Sequence, residues 1–156
     1  MKLTVFVDGA CEPRNPGGVG GCAFAVYAGE VGGREADPRP TVLKAAGKLL
    51  DEPGMTNNVA EYRALVATLR WLAEHGHRDD EIDLRMDSKL VVEQVNGNWE
   101  CRSPRLQPFC GECRAILLLM RHTKLRWVPR EENFAPDAMI NQLYAARGIP
   151  VLARRG

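Results

Sequence analysis

The N-terminal sequence Met1-Lys-Leu-Thr-Val-Phe-Val-Asp8-Gly-Ala-Cys11 has the pattern of a core strand that ends in a charged residue. Apolar side chains occupy both alternating sets of positions between Leu3 and Val7, which predicts a central strand buried on both faces. Gly9 is expected to end this strand just after Asp8. A carboxylate at the rim of a core is costly to desolvate unless it is paired or binds a metal. Asp8 is therefore either the start of a turn or a functional group, and the other carboxylates of the chain bear on that choice.

The composition is typical of a globular chain with one domain. Its 156 residues, 45% of them hydrophobic and 26% charged, are enough to bury a sizeable core. The formal net charge of +1 gives no bulk attraction to nucleic acid or membranes, so nucleic-acid binding would need a local patch. The five cysteines lack the spacing of a disulfide framework, and we see no signal peptide and no membrane-spanning stretch. We therefore expect a cytoplasmic protein that has no membrane partner and is a monomer by default.

Three strands followed by alternating helices and strands are predicted along the chain. After the N-terminal strand, further strands are expected at about 22–28 and 41–50, in an antiparallel meander. The later elements are a helix with possible N-caps at 56–58 that ends near 75, a strand at 81–86, a helix at 89–95, a helix at 109–121, a strand at 124–128 and a helix at 133–147. Their alternation predicts parallel strands with right-handed crossovers and a mixed α/β sheet. Residues 1–147 are expected to form the domain, and 148–156 a basic tail.

Four carboxylates are candidates for one site. Asp8 and Asp87 end two predicted strands, and sites in open α/β sheets form at the carboxyl ends of central strands. Glu61 and Asp137 lie near the starts of two helices, where each taken singly could simply favour the helix N-terminus. Four acidic groups in one place repel one another unless cations neutralise them, and oxygen ligands without His or Cys favour Mg²⁺ or Mn²⁺. Two such ions about 4 Å apart would stabilise the attacking and leaving oxygens of a phosphoryl transfer.

Each of these carboxylates belongs to a short motif. The motifs are Asp8-Gly-Ala-Cys-x-x-x-Asn15-Pro-Gly, Thr56-Asn-Asn-x-x-Glu61, Asp87-Ser88 and Asn133-x-x-x-Asp137. In this order they resemble the motif set of type 1 ribonuclease H. The segments 87–97 and 127–133 are similar to the compact branch of that family, which includes archaeal-type members. The resemblance covers residues 5 to about 141.

The resemblance implies a fold and an activity. The fold would be the RNase H-like α/β fold, a five-stranded mixed sheet in the order 3-2-1-4-5 with helices on both faces. The activity would be endonucleolytic hydrolysis of the RNA strand of an RNA–DNA hybrid, leaving 5′-phosphate and 3′-hydroxyl ends. The implied catalytic and metal-binding residues are Asp8, Glu61, Asp87 and Asp137. By the same resemblance Asp8 bridges two ions, Glu61 and Asp87 share one of them, and Asp137 holds the ion that activates water.

Hybrid recognition requires contacts to the 2′-hydroxyl groups of the RNA strand across a wide, shallow minor groove. Short polar side chains and exposed backbone near the carboxylates suit this purpose, and the candidates are Gly9, Asn15, Asn57, Asn58 and Ser88. By resemblance the three asparagines fall on minor-groove contact positions, although capping and turn formation are alternative roles for them. Candidates for holding the phosphates of the DNA strand are Lys89, Trp99, Arg102 and Arg105.

The sequence departs from many bacterial relatives in two places. The connection 98–108 is too short for their basic, Trp-rich extension, so we expect modest affinity for the hybrid or help from the basic tail. The stretch 128–132 lacks the flexible-loop histidine of such relatives, which leaves Arg130 or Glu131 as candidates for proton delivery or product release.

Other interpretations remain open at this point. Cys110-Gly-Glu-Cys113 has the spacing of redox and zinc motifs, but no second Cys or His pair completes a zinc site, so helix packing or a chance surface spacing is preferred. A catalytically inactive hybrid-binding module is the non-enzyme alternative, and the presence of all four carboxylates argues against it. Another two-metal nuclease of the same fold is the second alternative, and the asparagines at 15, 57 and 58 favour a hybrid substrate instead.

Overall fold

A computed structural model describes residues 1–32 and 41–153 of the chain. Its elements are β1 (Lys2–Glu12), β2 (Val19–Ala28), β3 (Thr41–Leu50), α1 (Asn57–Glu74), β4 (Glu81–Met86), α2 (Lys89–Val95), α3 (Gln107–Leu119), β5 (Thr123–Trp127), a single 3-10 turn (Arg130–Glu132) and α4 (Phe134–Ala146). Most of the predicted connection between β2 and β3, and Arg154 and Arg155 of the predicted tail, lie outside the described residues. No helix in the described ranges combines the length and the apolar character needed to cross a membrane.

The described strands form one mixed sheet in the order β3-β2-β1-β4-β5. The first three strands pair antiparallel, whereas β4 is parallel to both β1 and β5. The predicted α/β class and the order 3-2-1-4-5 are therefore confirmed. β1 lies at the centre, and all its residues from Leu3 to Glu12 are buried, as the apolar pattern on both sides of the strand predicts.

The prediction that Gly9 ends the first strand is wrong. β1 continues for four residues past Asp8 because β2 begins early enough to pair with all of them, from Gly9 opposite Cys22 to Glu12 opposite Val19. Gly9 serves a different purpose, since a Cβ atom at this position would lie 2.4 Å from the backbone nitrogen of Glu61. The missing side chain thus lets α1 pack directly against the backbone of β1.

The alternation of side chains along β1 separates two cores. Leu3, Val5 and Val7 belong to the larger core, which also contains apolar residues of α1, α2 and α3. Ala10 points to the other face, where it packs with residues of β2 and α4. Helices therefore cover both faces of the sheet, with α4 alone on the second face among the described helices.

Side-chain caps fix where two helices begin. The hydroxyl group of Thr56 accepts a hydrogen bond from the Val59 N–H at 3.1 Å, so α1 begins at Asn57 and Glu61 follows one turn later. The hydroxyl group of Ser88 accepts from the Val91 N–H at 3.3 Å and caps α2 in the same way. Asp87 is therefore held at the junction between β4 and a capped helix.

Candidate active site

Asp8 and Asp87 meet at one end of the two central parallel strands. Val7 of β1 pairs with Met86 of β4. Asp8 is the next residue of β1, and Asp87 directly follows the end of β4. Asp8 is 1% exposed, and its Oδ1 atom accepts a hydrogen bond from the Gly9 N–H at 2.9 Å. The sheet order thus brings these two carboxylates together, as expected from the sequence.

Glu61 joins them from the first turns of α1. Its side chain is 6% exposed, although it is charged, and its Oε1 atom accepts a hydrogen bond from Asn57 Nδ2 at 3.0 Å. The Oδ1 atom of Asn15 accepts from the backbone N–H of Asn57 at 3.0 Å. These two bonds tie the loop after β1 to the start of α1 beside Glu61.

An open, polar pocket of about 260 Å³ unites these side chains at the carboxyl ends of β1 and β4. Its lining residues are Asp8, Gly9, Cys11, Asn15, Asn57, Glu61, Asp87, Arg130 and Ala153. Asp137 is not part of this lining. It lies in the first turn of α4, where its Oδ1 atom is 3.7 Å from Nη2 of Arg130 and its Oδ2 atom accepts from Asn141 Nδ2 at 3.3 Å. Arg130 therefore connects the fourth predicted carboxylate to the pocket.

The predicted substrate contacts divide into two groups. Gly9, Asn15 and Asn57 line the pocket, whereas Asn58 and Ser88 are not among its lining residues. Ser88 is buried and caps α2, which is a structural role. Asn58 is half-buried in the first turn of α1.

The four candidates for holding the DNA strand also lie outside this lining. Lys89 Nζ lies 5.8 Å from the centre of the Trp127 ring, and Arg102 Nε is 3.0 Å from Glu100 Oε2. Arg105 donates a hydrogen bond to the Gly54 carbonyl. Trp99 is half exposed beside a separate cavity between α2 and α3.

Asn133 lies beside the pocket, although the sequence interpretation named it only as the start of a helix and of the motif that contains Asp137. It is completely buried, and its Nδ2 atom donates to the Val7 carbonyl at 2.8 Å and to Asp87 Oδ1 at 3.2 Å. One amide therefore joins β1 to the Asp87 carboxylate from the start of α4. The spacing between Asn133 and Asp137 in their shared motif was the feature of the sequence that could have identified Asn133 as a candidate.

Asn133→Ala is expected to lower kcat roughly tenfold and stability by about 2 kcal/mol, because Asp87 loses its donor and the buried Val7 carbonyl loses its partner. Asn96→Ala is the matched control, since Asn96 Nδ2 also donates to a strand carbonyl, that of Leu125 at 2.9 Å. Because Asn96 is exposed, thermal unfolding should show a smaller stability loss in Asn96→Ala than in Asn133→Ala, and steady-state kinetics should show a change in kcat in Asn133→Ala alone. Equal kcat values would rule out a positioning role for Asn133.

Cys11 also lines the pocket, where it acts as a small buried group. Its Sγ atom donates to the Arg14 carbonyl at 3.0 Å. Burial raises the pKa of the Cys11 thiol, so the group is protonated and uncharged at neutral pH. A neutral thiol adds no further charge to a pocket that already contains three carboxylates.

The pocket offers the ligand atoms that a hard divalent cation prefers, because Asp8, Glu61 and Asp87 supply oxygen atoms only. Within residues 1–32 and 41–153, however, no group of three or more His, Cys, Asp or Glu side chains is arranged so that it could hold a metal ion. Nitrogen donors instead hold these carboxylates: the Gly9 N–H on Asp8, Asn57 on Glu61 and Asn133 on Asp87. A cation would have to draw the carboxylates together in competition with these donors.

The cysteine pair of α3 is part of the protein core. Cys110 and Cys113 are buried, are not joined in a disulfide, and pack in the larger core. Burial raises the pKa of the Cys113 thiol, which keeps it protonated and unreactive. These observations agree with the helix-packing interpretation of the Cys-x-x-Cys spacing.

Comparison with known proteins assigns the chain and its fold to a family. A family model described as "Reverse transcriptase-like" matches residues 28–142. The N-terminal RNase H domain of a Mycobacterium tuberculosis protein superposes with a TM-score of 0.76 at 32% identity, over 94% of this chain and 96% of that domain. The chain belongs to the type 1 ribonuclease H family. Ribonucleases H use divalent metal ions, which agrees with the carboxylate lining of the pocket.

Two further ribonucleases H illustrate the range of the similarity. Ribonuclease HI of the archaeon Halobacterium salinarum is 33% identical over 141 residues, which make up 90% of this chain and 63% of that protein. A ribonuclease H1 isolated from compost, LC11, was solved in complex with an RNA/DNA hybrid. Its TM-score is 0.74 at 25% identity, over 93% of this chain and 98% of that one.

The similarity to the mycobacterial proteins covers only part of their length. The bifunctional protein of Mycobacterium tuberculosis is 34% identical over 141 residues. The chain spans about a third of that relative, 35% of its length. The similarity therefore concerns the ribonuclease H domain of that protein.

Proposed function

We propose that this chain is an endoribonuclease that hydrolyses the RNA strand of RNA–DNA hybrids and leaves 5′-phosphate and 3′-hydroxyl ends. The observation that carries the proposal is the convergence of Asp8, Glu61 and Asp87 with Asn15 and Asn57 in one open pocket of a ribonuclease H fold. The LC11 relative that was solved with an RNA/DNA hybrid supports this class of substrate.

We assign two divalent ions, Mg²⁺ or Mn²⁺, to Asp8, Glu61, Asp87 and Asp137. When bound, such ions activate water and stabilise charge on phosphate oxygens. In this assignment Asp8 would be a ligand of both ions, because it is almost fully buried within the central strand β1, next to the position where β4 ends and Asp87 begins. The amide groups of Asn57 and Asn133 hold Glu61 and Asp87 before an ion binds, and an ion would compete with these amides for the carboxylate oxygens.

Arg130 is assigned to phosphate binding and product release in place of the loop histidine. It lines the pocket and lies 3.7 Å from Asp137, whereas Glu131 is exposed and not part of the lining. A guanidinium group stays protonated at any physiological pH, so Arg130 is unsuited to transferring a proton. It is well suited to pairing with a phosphate oxygen through two N–H groups.

Asn15 and Asn57 are assigned to recognition of the RNA strand. Both line the pocket, Asn15 exposed and Asn57 half-buried. Their amide groups can donate and accept hydrogen bonds, as a ribose 2′-hydroxyl does. A DNA strand lacks that hydroxyl group and would leave these contacts unmade.

A cytoplasmic location and a monomeric state complete the proposal. Each of the five cysteines has a free thiol, which suits a reducing compartment.

A panel of labelled duplexes tests the function directly. We expect cleavage of the RNA–DNA hybrid in Mg²⁺ or Mn²⁺, no cleavage of duplex DNA or duplex RNA, and no cleavage of any substrate in EDTA. The RNA products should carry a 5′-phosphate, which a phosphatase-sensitive change in gel mobility reports. Binding of the hybrid without cleavage would indicate an inactive hybrid-binding module, and cleavage of duplex DNA would indicate another nuclease of the same fold.

A further inference from the structure

The indole ring of Trp127, the last residue of β5, contacts two residues at the end of β4 and the start of α2. Its Nε1 atom donates a hydrogen bond to the backbone carbonyl of Asp87 at 3.2 Å, and the Lys89 ammonium lies 5.8 Å from the ring centre. We propose that Trp127 is a positioning residue: its N–H group fixes the peptide group of Asp87, and its ring holds the Lys89 ammonium for binding a phosphate of the hybrid. The inference rests on the proposed function, because it deepens the roles of Asp87 and of the hybrid in that activity.

The backbone of Asp87 needs such a contact because it belongs to no regular element. β4 ends at Met86 and α2 begins at Lys89, so Asp87 lies in the connection between them. The Val128 N–H donates to the Met86 carbonyl at 2.8 Å, next to the bond from Trp127 to the Asp87 carbonyl. The end of β5 therefore binds two consecutive carbonyl groups, one through a backbone N–H and one through an indole.

The contact from Trp127 complements the one that Asn133 makes. Asn133 Nδ2 donates to the side-chain Oδ1 atom of Asp87 at 3.2 Å, whereas Trp127 donates to the backbone carbonyl of the same residue. The first bond limits rotation of the carboxylate, and the second fixes the peptide group from which the side chain starts. Loss of a group that orients a metal-binding carboxylate commonly costs about tenfold or more in activity.

The face of the same indole ring holds a cation. Lys89 is exposed, and so is 44% of the Trp127 surface. An ammonium group within about 6 Å of the centre of a tryptophan ring is attracted by the negative face of that ring. Ordering an exposed lysine before the substrate arrives lowers the entropic cost of a later contact. The ring therefore keeps the Lys89 ammonium beside Asp87, a residue that lines the pocket.

Charge identifies what this lysine binds. Arg130 is the one cation in the lining of the pocket, which also contains three carboxylates, so a polyanionic substrate needs further cations beside it. Arg126, the neighbour of Trp127, is already paired with Asp83, since its Nε atom lies 2.8 Å from Oδ1. Among the described residues no carboxylate forms an ion pair with Lys89. The Lys89 ammonium is therefore suited to a phosphate group of the nucleic-acid backbone.

Substitutions that separate the two contacts test the inference by steady-state kinetics on a labelled hybrid. Trp127→Phe removes the N–H group but keeps an aromatic face, so kcat should fall about tenfold while KM changes less than about twofold. Trp127→Leu removes both contacts, so a similar loss of kcat should be accompanied by a rise in KM of up to about threefold. Lys89→Met should act mainly on KM, raising it about threefold. It should also make the slope of log(kcat/KM) against log[salt] shallower by about 1.

Two substitutions elsewhere control for the loss of an indole and of a charge. Trp71→Phe changes a tryptophan whose ring stacks on His75 at 4.5 Å, about three turns of α1 beyond Glu61. Lys48→Met removes an exposed ammonium from β3, which β2 and β1 separate from β4. Both variants should keep kcat and KM close to the wild-type values.

A combined variant shows whether the ring acts through the lysine. Trp127→Leu/Lys89→Met should raise KM no more than Lys89→Met alone, because the ring affects KM only by holding Lys89. Effects on KM that multiply in the combined variant would overturn the inference. So would a wild-type kcat in Trp127→Phe.

Hydrogen exchange of the indole tests the bond to Asp87 without any activity. The chain has three tryptophans, so the ¹H–¹⁵N spectrum should contain three indole signals, and the signal missing from Trp127→Phe belongs to Trp127. Although the ring is exposed, its bonded N–H group should exchange at least about tenfold more slowly than that of free tryptophan. Exchange at the rate of free tryptophan would overturn the inference.

A failure of the proposed function would be recognised separately. If the wild-type protein cuts no hybrid, that proposal is wrong, and the variants are then compared by fluorescence anisotropy of a labelled hybrid in EDTA. Weaker binding by Lys89→Met and Trp127→Leu, but not by Trp127→Phe, would still support a lysine held by the ring. Equal affinity across wild type and all variants would refute it.

Discussion

Asp8→Asn is expected to lower the rate of hybrid cleavage at least about a thousandfold and to leave the fold intact. Asparagine has the shape of aspartate but lacks its charge, and a neutral amide is a poor ligand for a hard divalent cation. The loss should be larger than for any peripheral residue, because Asp8 is the proposed shared ligand. Single-turnover kinetics with saturating enzyme would measure the chemical step without contributions from product release.

Thermal unfolding in EDTA provides the control for this variant. Asp8 is nearly fully buried in a pocket that also contains Glu61 and Asp87, and like charges in one site repel one another. Removal of one charge should therefore leave the melting temperature unchanged or raise it. Activity within tenfold of wild type in a well-folded Asp8→Asn protein would contradict the assignment of Asp8 as a ligand.

Gly9→Ala is expected to reduce kcat roughly a hundredfold and to destabilise the protein by about 2 kcal/mol. The added Cβ would lie 2.4 Å from the nitrogen of Glu61 and 2.5 Å from the carbonyl carbon of Ala60. Both contacts are with backbone atoms of a helix, so they cannot be relieved by a change of rotamer. α1 must move away from β1, and Glu61 moves with it, away from Asp8 and Asp87.

Gly111→Ala is the matched control for this substitution. Gly111 lies inside α3, and a Cβ there has nothing within 4 Å. Alanine favours a helix interior over glycine, so this variant should gain up to about 1 kcal/mol in stability and keep wild-type kcat. A Gly9→Ala protein with wild-type kcat would show that α1 need not touch β1 for Glu61 to function.

The fold was largely predictable because its signals are local. The apolar pattern of β1, the capping residues Thr56 and Ser88, and the alternation of later helices and strands each act within a few residues. The boundary after Gly9 was not predictable, since it depends on the pairing of β1 with β2. Glycine is a common strand breaker, but here it allows close contact with a helix from a distant part of the chain.

The site was predictable where its proposed chemistry requires a particular type of residue. Asp8, Glu61 and Asp87 were expected together, and the structure places all three in one pocket. The sequence did not show that Arg130 lines the pocket and pairs with Asp137, which is outside the lining. That arrangement depends on the turn between β5 and α4. Residue type also did not indicate that Glu12 is buried, because a carboxylate in a loop-like sequence is ordinarily exposed to solvent.

The supporting contacts were the least predictable part. Asn133 and Glu12 act through bonds to residues more than a hundred positions away or to backbone groups of a distant segment. Such contacts produce no periodic or compositional pattern in the sequence. Only the folded chain shows that an amide and a buried carboxylate position other groups of the pocket.

The most direct measurement uses one hybrid with a different fluorophore on each strand, incubated with Mn²⁺ and either wild-type or Asp87→Asn protein. We predict that the wild-type protein shortens the labelled RNA strand alone, that the DNA strand stays intact, and that Asp87→Asn cuts neither strand. Equal cleavage of the RNA by Asp87→Asn, or cleavage of the DNA strand by the wild-type protein, would contradict the proposal that this pocket hydrolyses the RNA of a hybrid.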